Sequence, residues 1–268
     1  MSPVAAPARA GAGVLGVIVL VALAAPLLAP FGPADPVGPT LSSPSAAHLL
    51  GTDDLGRDVL SRLIWGARRV LPSAALAAAV ATVLGAAAGL LAGLSDGPAG
   101  AVAARATDVA LAVPRLPLIV LVAVLAGPGR VTVPLLIGLL GWAPVARALT
   151  GRVRVLRGAG YVDAARGLGA GPLHVARRHV LPALAPVLAA EAMLVASGAV
   201  LMEAGMAFLG LADPTAVSWG LDLHRALGEP GVLLTGVWTW WVLPAGLAVA
   251  LTSAACALLA TGADGAGR

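Results

Sequence analysis

The chain has 268 residues, 59% hydrophobic and 11% charged, with a mean hydropathy of +0.94. A soluble globular domain carries about a quarter charged residues, so a cytosolic enzyme is excluded as a first reading. The net charge of +4 rests on 17 arginines with no lysine, which removes both a phosphate-binding Gly-Lys-Ser/Thr loop and Schiff-base chemistry. Those arginines cluster beside apolar runs, as topology determinants do, and not on a nucleic-acid surface. The single cysteine, Cys256, lies in an apolar run and supports neither a disulfide framework nor a thiolate metal site.

Crossing the hydrocarbon core takes about 20 apolar helical residues. Six segments meet that requirement: 14–30, 71–94, 106–126, 131–149, 183–211 and 232–260. The first, behind Arg9 and with small residues near Ala24-Ala25, also fits a cleaved signal peptide. An uncleaved helix with its N-terminus inside agrees better with the loops that follow.

Between the first two spans lies HLLGTDDLGRDVLSRLIWGARR, His48 to Arg69. It reads as a capped amphipathic helix at the outer membrane surface. Thr52 or Asp53 caps it, Asp58 and Arg62 pair at i and i+4, and Leu55, Val59, Leu63 and Trp65 form an apolar stripe. Its charged face is expected in solvent, with either a structural role or contact with an extracellular partner.

The third span holds Asp108, Arg115, Pro114 and Pro117. Asp108 and Arg115 are two turns apart on one face, about 10 Å by helix rise, and are expected to meet different partners, with Asp108 at the cytoplasmic interface. The fifth span is longer than one crossing needs. It is expected to break near Gly205, leaving Phe208 to Leu211 re-entrant or interfacial. Ionisable residues at membrane depth are functional candidates, which singles out Asp108, Arg115, Glu191 and Glu203 as pathway or gating residues. Trp238, Trp240 and Trp241 read as an outer interfacial belt. His48, His174, His179 and His224 fall on both sides and predict no metal cluster. The 34 glycines suit close helix packing in lipid, and no internal repeat is evident.

With the N-terminus inside, loops 31–70, 127–130 and 212–231 are outside, and 95–105, 150–182 and the tail are inside. Ten arginines then lie inside (9, 105, 147, 152, 154, 157, 166, 177, 178 and 268), six outside (57, 62, 68, 69, 130 and 225), and Arg115 within a span. Positive loops stay cytoplasmic. The stretch from Arg147 to Arg178 carries seven arginines against one acid, Asp163. Within it, Val162 to Leu168 favours a helix, Gly169-Ala170-Gly171 breaks it, and Pro172 opens a second helix over 172–180, which Pro182 ends. Two short helices about a glycine turn make a rigid cytoplasmic knob able to dock into a groove on a soluble partner.

Three motifs carry a resemblance. Asp163-Ala164-Ala165, Gly169 and Leu181-Pro182 resemble the EAA loop of bacterial binding-protein-dependent ABC transporter permeases at the family's spacing. GTDDLGRDVLSRLIWGAR resembles the segment after the first helix in the dipeptide/oligopeptide/nickel permease family, on the side of its second (C-type) subunit. EAGMAFLGLADPTAVSW, Glu203 to Trp219, is similar to that family's E-A-x-x-S-F-L-G-L-G stretch, completed by Ser218-Trp219-Gly220, and Asp108 and Pro114 also sit at family spacing. The sequence departs at Asp163 (usually Glu), His179 (usually Ile) and Ala207 (usually Ser). It keeps only a remnant, Thr261 to Gly265, of the family's C-terminal motif.

The resemblance implies an all-α membrane protein of six helices, with the type I importer permease fold. It implies a first helix and outer segment over 1–70, a permease domain over 71–262 with its coupling loop at 150–182, and a short cytoplasmic tail at 263–268. Asp163, Ala164, Ala165, Arg166, Gly169, Arg177, Arg178, Leu181 and Pro182 would form the ATPase-coupling loop. Gly51, Thr52, Asp53, Gly56, Arg57, Asp58 and Arg62 would form the outer family motif. Implied partners are a second homologous permease, two ATP-binding subunits that hold the ATP, an extracytoplasmic solute-binding protein and the bilayer of the bacterial inner membrane. Peptide or nickel would be the cargo. Two rival readings remain at this stage, a stand-alone secondary transporter or channel and an intramembrane enzyme. The second is disfavoured because no H-E-x-x-H occurs and Ser73, Ser197 and Ser253 have no histidine in a neighbouring span.

Overall fold

The computed structural model describes residues 5–127, 129, 131–211, 213 and 215–265. Arg130, Arg268 and residues 266–268 of the expected tail lie outside them. The chain folds as α1 (Ala5–Leu23), α2 (Ala25–Leu28), α3 (Val59–Leu94), α4 (Pro98–Ala112), α5 (Arg115–Ala126), α6 (Thr132–Arg157), α7 (Gly160–Gly167), α8 (Pro172–Val175), α9 (Leu181–Phe208), α10 (Trp219–Gly228) and α11 (Val242–Gly265). A π turn, Ala176–Val180, joins α8 to α9, and a 3-10 turn, Gly236–Thr239, precedes α11. Five of these stretches are long and apolar enough to cross a membrane, and the bent α4–α5 pair makes a sixth.

Several boundaries differ from expectation. The surface helix and the second span are one 36-residue helix, α3, because nothing in LSRLIWGARRVL interrupts it and Pro72 is accommodated inside it. At 1.5 Å per residue it is about 54 Å long, well beyond the hydrocarbon core. Its N-cap is Asp58, which accepts from the Ser61 backbone N–H at 2.8 Å, in place of Thr52 or Asp53. The third span is broken: α4 and α5 meet at 83°. Pro114 lacks an N–H and forces Val113 out of the helical region (ψ 128°), so Asp108 and Arg115 do not share a helix.

The fourth span continues to Arg157. Pro182 does not end the second knob helix, since helical backbone runs on through it from Pro172 to Phe208. Nor does α9 break at Gly205. It stops at a Schellman cap, where Gly210 (φ 76°) lets Leu211 N–H reach Met206 O (2.9 Å) and its own N–H reach Ala207 O (3.0 Å).

The bundle is centred on α3, whose GAAAGLLAG stretch faces α6. A Cβ at Gly85 would fall 2.5 Å from Val145 Cβ. At Gly89 it would fall 2.8 Å from Leu149 Cβ, and at Gly93 2.5 Å from Val153 Cγ1. Three glycines at i, i+4 and i+8 thus form a groove that takes three apolar side chains of α6. α9 and α11 are joined by a serine clasp: Ser197 Oγ and Ser253 Oγ lie 2.8 Å apart, and each hydroxyl also reaches the other residue's carbonyl. α1 lies along α11, with Gly11 against Ala255 O. The outward faces of α1, α4 and α5 carry exposed apolar side chains such as Val17, Leu20, Val102 and Leu121, as lipid contact requires.

The knob end, residues 158–182, and the opposite cap end, residues 29–58 with 209–241, each have their own small core. At the knob end Val162, Val175 and Val180 pack on Val145, Leu149, Val153, Leu184 and Val187. At the cap end Val59, Ala226 and Trp241 form the centre. Trp241 is therefore buried and not part of an interfacial belt, while Trp238 is exposed.

Candidate functional site

At the knob end, α7 closes with a second Schellman cap. Gly169 (φ 86°) reverses the chain, Gly169 N–H donates to Arg166 O (2.9 Å) and Ala170 N–H to Ala165 O (3.0 Å). Pro172 then starts α8 from its first turn, as its fixed φ favours. Val162, Val175 and Val180 are fully buried and anchor the knob to α6 and α9.

The outward side is different in character. Leu168 is 90% exposed and Leu173 67%, and Tyr161 joins them. An open groove of about 650 Å³ runs between the short helices, lined by Tyr161, Ala164, Ala165, Leu168, Gly169 and His174 among others. Of the expected coupling residues Ala164, Ala165 and Gly169 line it; Asp163, Arg166, Arg177, Arg178 and Pro182 are exposed without lining it, and Leu181 is partly covered. Among the described residues, none beyond its two chain neighbours lies within 4 Å of a Cβ placed on Gly169. At the knob's base Arg157 makes a two-pronged pair with Asp96, one contact at 2.6 Å, and that hydrogen bond holds the Asp96 carboxyl below the usual carboxylate range.

At the cap end the seven motif residues converge, buried and not on a solvated face. Gly51 (φ 65°) and Gly56 (φ 72°) turn the chain where a Cβ would strike Ser42 O and Gly38 O at 2.3 and 2.2 Å. Thr52 Oγ1 donates to Pro39 O and accepts from Ser42 N–H. The Asp53 carboxylate accepts from the Leu55 and Arg57 backbone N–H groups and from Arg57 Nε. Asp58 does not pair with Arg62. It caps α3 and contacts His48 Nδ1 at 3.1 Å. Arg62 instead donates through Nε to Asp222 at 2.8 Å, through Nη1 to Pro33 O, and lies 3.6 Å from Asp53. Burial pushes the Asp222 carboxyl upward against the opposing pull of Arg62. Leu55, outside the helix and exposed, and Val59, buried, do not form one stripe.

The four ionisable candidates at membrane depth go to three places. Asp108 pairs with Arg147 on α6 and lies 3.7 Å from Arg105. Arg115 and Glu191 line one cavity of about 240 Å³, together with Ile137, Gly141, Pro144, Gly198 and Met202. Glu203 lies with Arg69, Val133, Pro134, Met206 and Ser218 around a smaller pocket toward the cap end.

Sequence reading missed Asp222 and Arg147, the partners of Arg62 and Asp108. For Asp222 a signal existed: Ser218 caps α10, which would have placed Asp222 in its first turn on the buried face.

Comparison with known proteins follows the same lines. Residues 85–264 match the family described as binding-protein-dependent transport system inner membrane component. The chain is 36% identical over 255 residues to the di/tripeptide transport system permease protein of Pseudomonas aeruginosa, covering 91% of this chain and 82% of that one. It is 32% identical over 203 residues to the dipeptide transport system permease protein of Bacillus subtilis, covering 75% and 62%. The glutathione transport system permease protein of Pectobacterium atrosepticum is 32% identical over 187 residues, covering 69% and 62%.

Proposed function

Since the chain belongs to the family of binding-protein-dependent transport system inner membrane components, we propose that its knob is the grip through which separate ATPase subunits drive it, and that it carries short peptides. Its class is plain: a non-catalytic, multi-pass inner-membrane permease subunit of an ABC importer, with the type I permease fold, working with ATPase and substrate-binding partners. The peptide cargo rests on what the relatives are named for, and nickel has no comparable support among them.

The observation that carries the coupling role is the two-sided knob. Its inner valines are fully buried, whereas its outer leucines and tyrosine stand in the open around a glycine turn with no neighbour. An exposed apolar patch of this kind marks a protein contact. Asp163, Ala164, Ala165, Arg166, Gly169, Arg177, Arg178, Leu181 and Pro182 form or flank that surface. Charge supports placing the knob in the cytoplasm with the N-terminus on the same side. Arg57 and Arg62 at the cap end are neutralised in buried pairs, which leaves the positive excess at the knob end.

In the mechanism we favour, two ATPase subunits grip this knob and its counterpart on a second, homologous permease. Their closure tilts α6 and α9, and the bundle alternates between inward- and outward-open states. A ligand shifts such a balance only by contacting the two states differently. Arg115 and Glu191 in their shared cavity, Glu203 near the cap end and Asp108 near the knob end are the groups placed to change partners between states. The outer motif, Gly51 to Arg62, is the rigid cap on which a solute-binding protein would rest.

The test is Gly169→Val. The left-handed conformation costs a side-chain-bearing residue about 1–2 kcal/mol, and the added bulk projects toward the partner. Uptake is expected to be abolished while the chain still inserts and assembles with the second permease. Normal uptake by the inserted variant would refute the docking role.

A further inference from the structure

A second cleft opens at the cap end, where the far end of the His48–Arg69 segment meets the Glu203–Trp219 stretch. It holds about 570 Å³ and is lined by Pro33, Trp65, Arg68, Arg69, Asp213, Thr215, Ala216 and Val217. Two guanidiniums face it with one carboxylate, that of Asp213. Asp213 Oδ1 is engaged by its own loop, accepting from the Thr215 backbone N–H (2.9 Å) and hydroxyl (2.6 Å). Arg68 is held over the Trp65 ring, 5.4 Å from its centroid, which fixes the guanidinium at the cleft wall. The contrast with neighbouring arginines is sharp. Arg57 and Arg62 are in ion pairs at 2.5 Å, whereas among the described residues no carboxylate lies within 4.0 Å of Arg68 or Arg69.

Arg69 also lines the smaller pocket that contains Glu203 and Ser218. Asp213 lines both pockets too, so Arg69 and Asp213 together form the wall between the open outer cleft and the inner pocket. A planar guanidinium presents paired donors matched to a carboxylate, and the open mouth of the cleft lets a small anion reach it.

We propose that this cleft receives the carboxylate end of the transported peptide, with Arg68 and Arg69 as its ligands, before the peptide passes Glu203. The assignment rests on the peptide reading above and adds to it a selectivity filter in the permease itself. The site discriminates by charge: a peptide whose C-terminus is amidated offers none to the guanidiniums and leaves them unpaired.

The experiment uses the whole complex, with partner permease, ATPases and binding protein, in proteoliposomes. The probes are dialanine and its C-terminal amide, each supplied at a concentration that saturates the binding protein. Because the same binding protein serves every preparation, a change in the uptake ratio between variants belongs to this chain. Arg69→Gln is expected to lower the ratio of dialanine to amide uptake about tenfold, the loss of one charge-assisted contact. Arg69→Lys should retain most of it and Arg68→Gln should lower it less. A purely structural role for Arg69 would reduce both uptakes alike and leave the ratio fixed. An unchanged ratio in both glutamine variants overturns the assignment. If Arg69→Gln fails to assemble, the exposed Arg68→Gln decides the matter alone. A wild-type complex that carries neither probe, while its knob still cross-links to an ATPase, overturns the peptide reading and this assignment with it.

Discussion

Arg62 sits between two carboxylates, Asp53 and Asp222, that come from segments far apart in the chain, and its side chain is only 3% exposed. Removing one member of such a buried set strands the others without water. Arg62→Ala is accordingly expected to cost about 3–5 kcal/mol, read as a large drop in the melting temperature of the purified protein in detergent. Arg62→Lys should recover little, since an ammonium cannot reach Asp222 and Pro33 O together as the fork does. The exposed pair at the knob's base behaves differently. Asp96 is held below the usual carboxylate range by Arg157, so the pair's contribution is present above that range and is lost only as the pH falls through the depressed value. Asp96→Asn should leave the melting temperature nearly unchanged at neutral pH.

Among the elements, α3 and α6 depend on contact distances that only glycine permits. Gly89→Leu would set four new heavy atoms against Leu149 and Ala146 O, where a single Cβ already falls at 2.8 and 3.0 Å. Overpacking of this kind costs about 1–3 kcal/mol or more. The expected result is a lower melting temperature and weaker recovery of the assembled complex, and Gly151→Leu on α6, where a Cβ meets nothing within 4 Å, should be tolerated. The elements also show what the residues alone could disclose. Spans were legible because apolar length is a local property, and the knob was legible because Gly169 and Pro172 punctuate it locally. Ends were misjudged wherever proline was weighed without its context. Pro182 falls in the first turn of α9 and is tolerated there, while Pro114 follows Val113 and breaks the third span. The Arg62–Asp222 pair was invisible for a different reason: 160 positions separate its members, and no periodicity spans that gap. The cap cluster reads locally as a solvated helix face and is buried only because residues 29–58 and α10 fold over it.

On the scale of the whole molecule, the asymmetry between its ends is the main result. One end is built around buried ion pairs, and the other offers anchored but uncovered apolar side chains. A cysteine at Leu168, the most exposed of the knob's large apolar side chains, should cross-link to an ATPase subunit in the assembled complex, as judged by a shifted band on a denaturing gel. A clean negative with an intact complex would count decisively against the coupling surface. The purified chain on its own should hydrolyse no ATP in a phosphate-release assay.

The unbroken helical path from Pro172 to Phe208 has a mechanical corollary. It starts in the knob and finishes beside Gly210 at the far rim, about 55 Å away by helix rise. A rod of that length, rocked by about 5° about one end, sweeps its other tip by about 5 Å, the width of a peptide backbone. A few degrees of tilt at the handle is therefore enough to part the far rim, and an oar of this length ties the two ends of the molecule to one stroke.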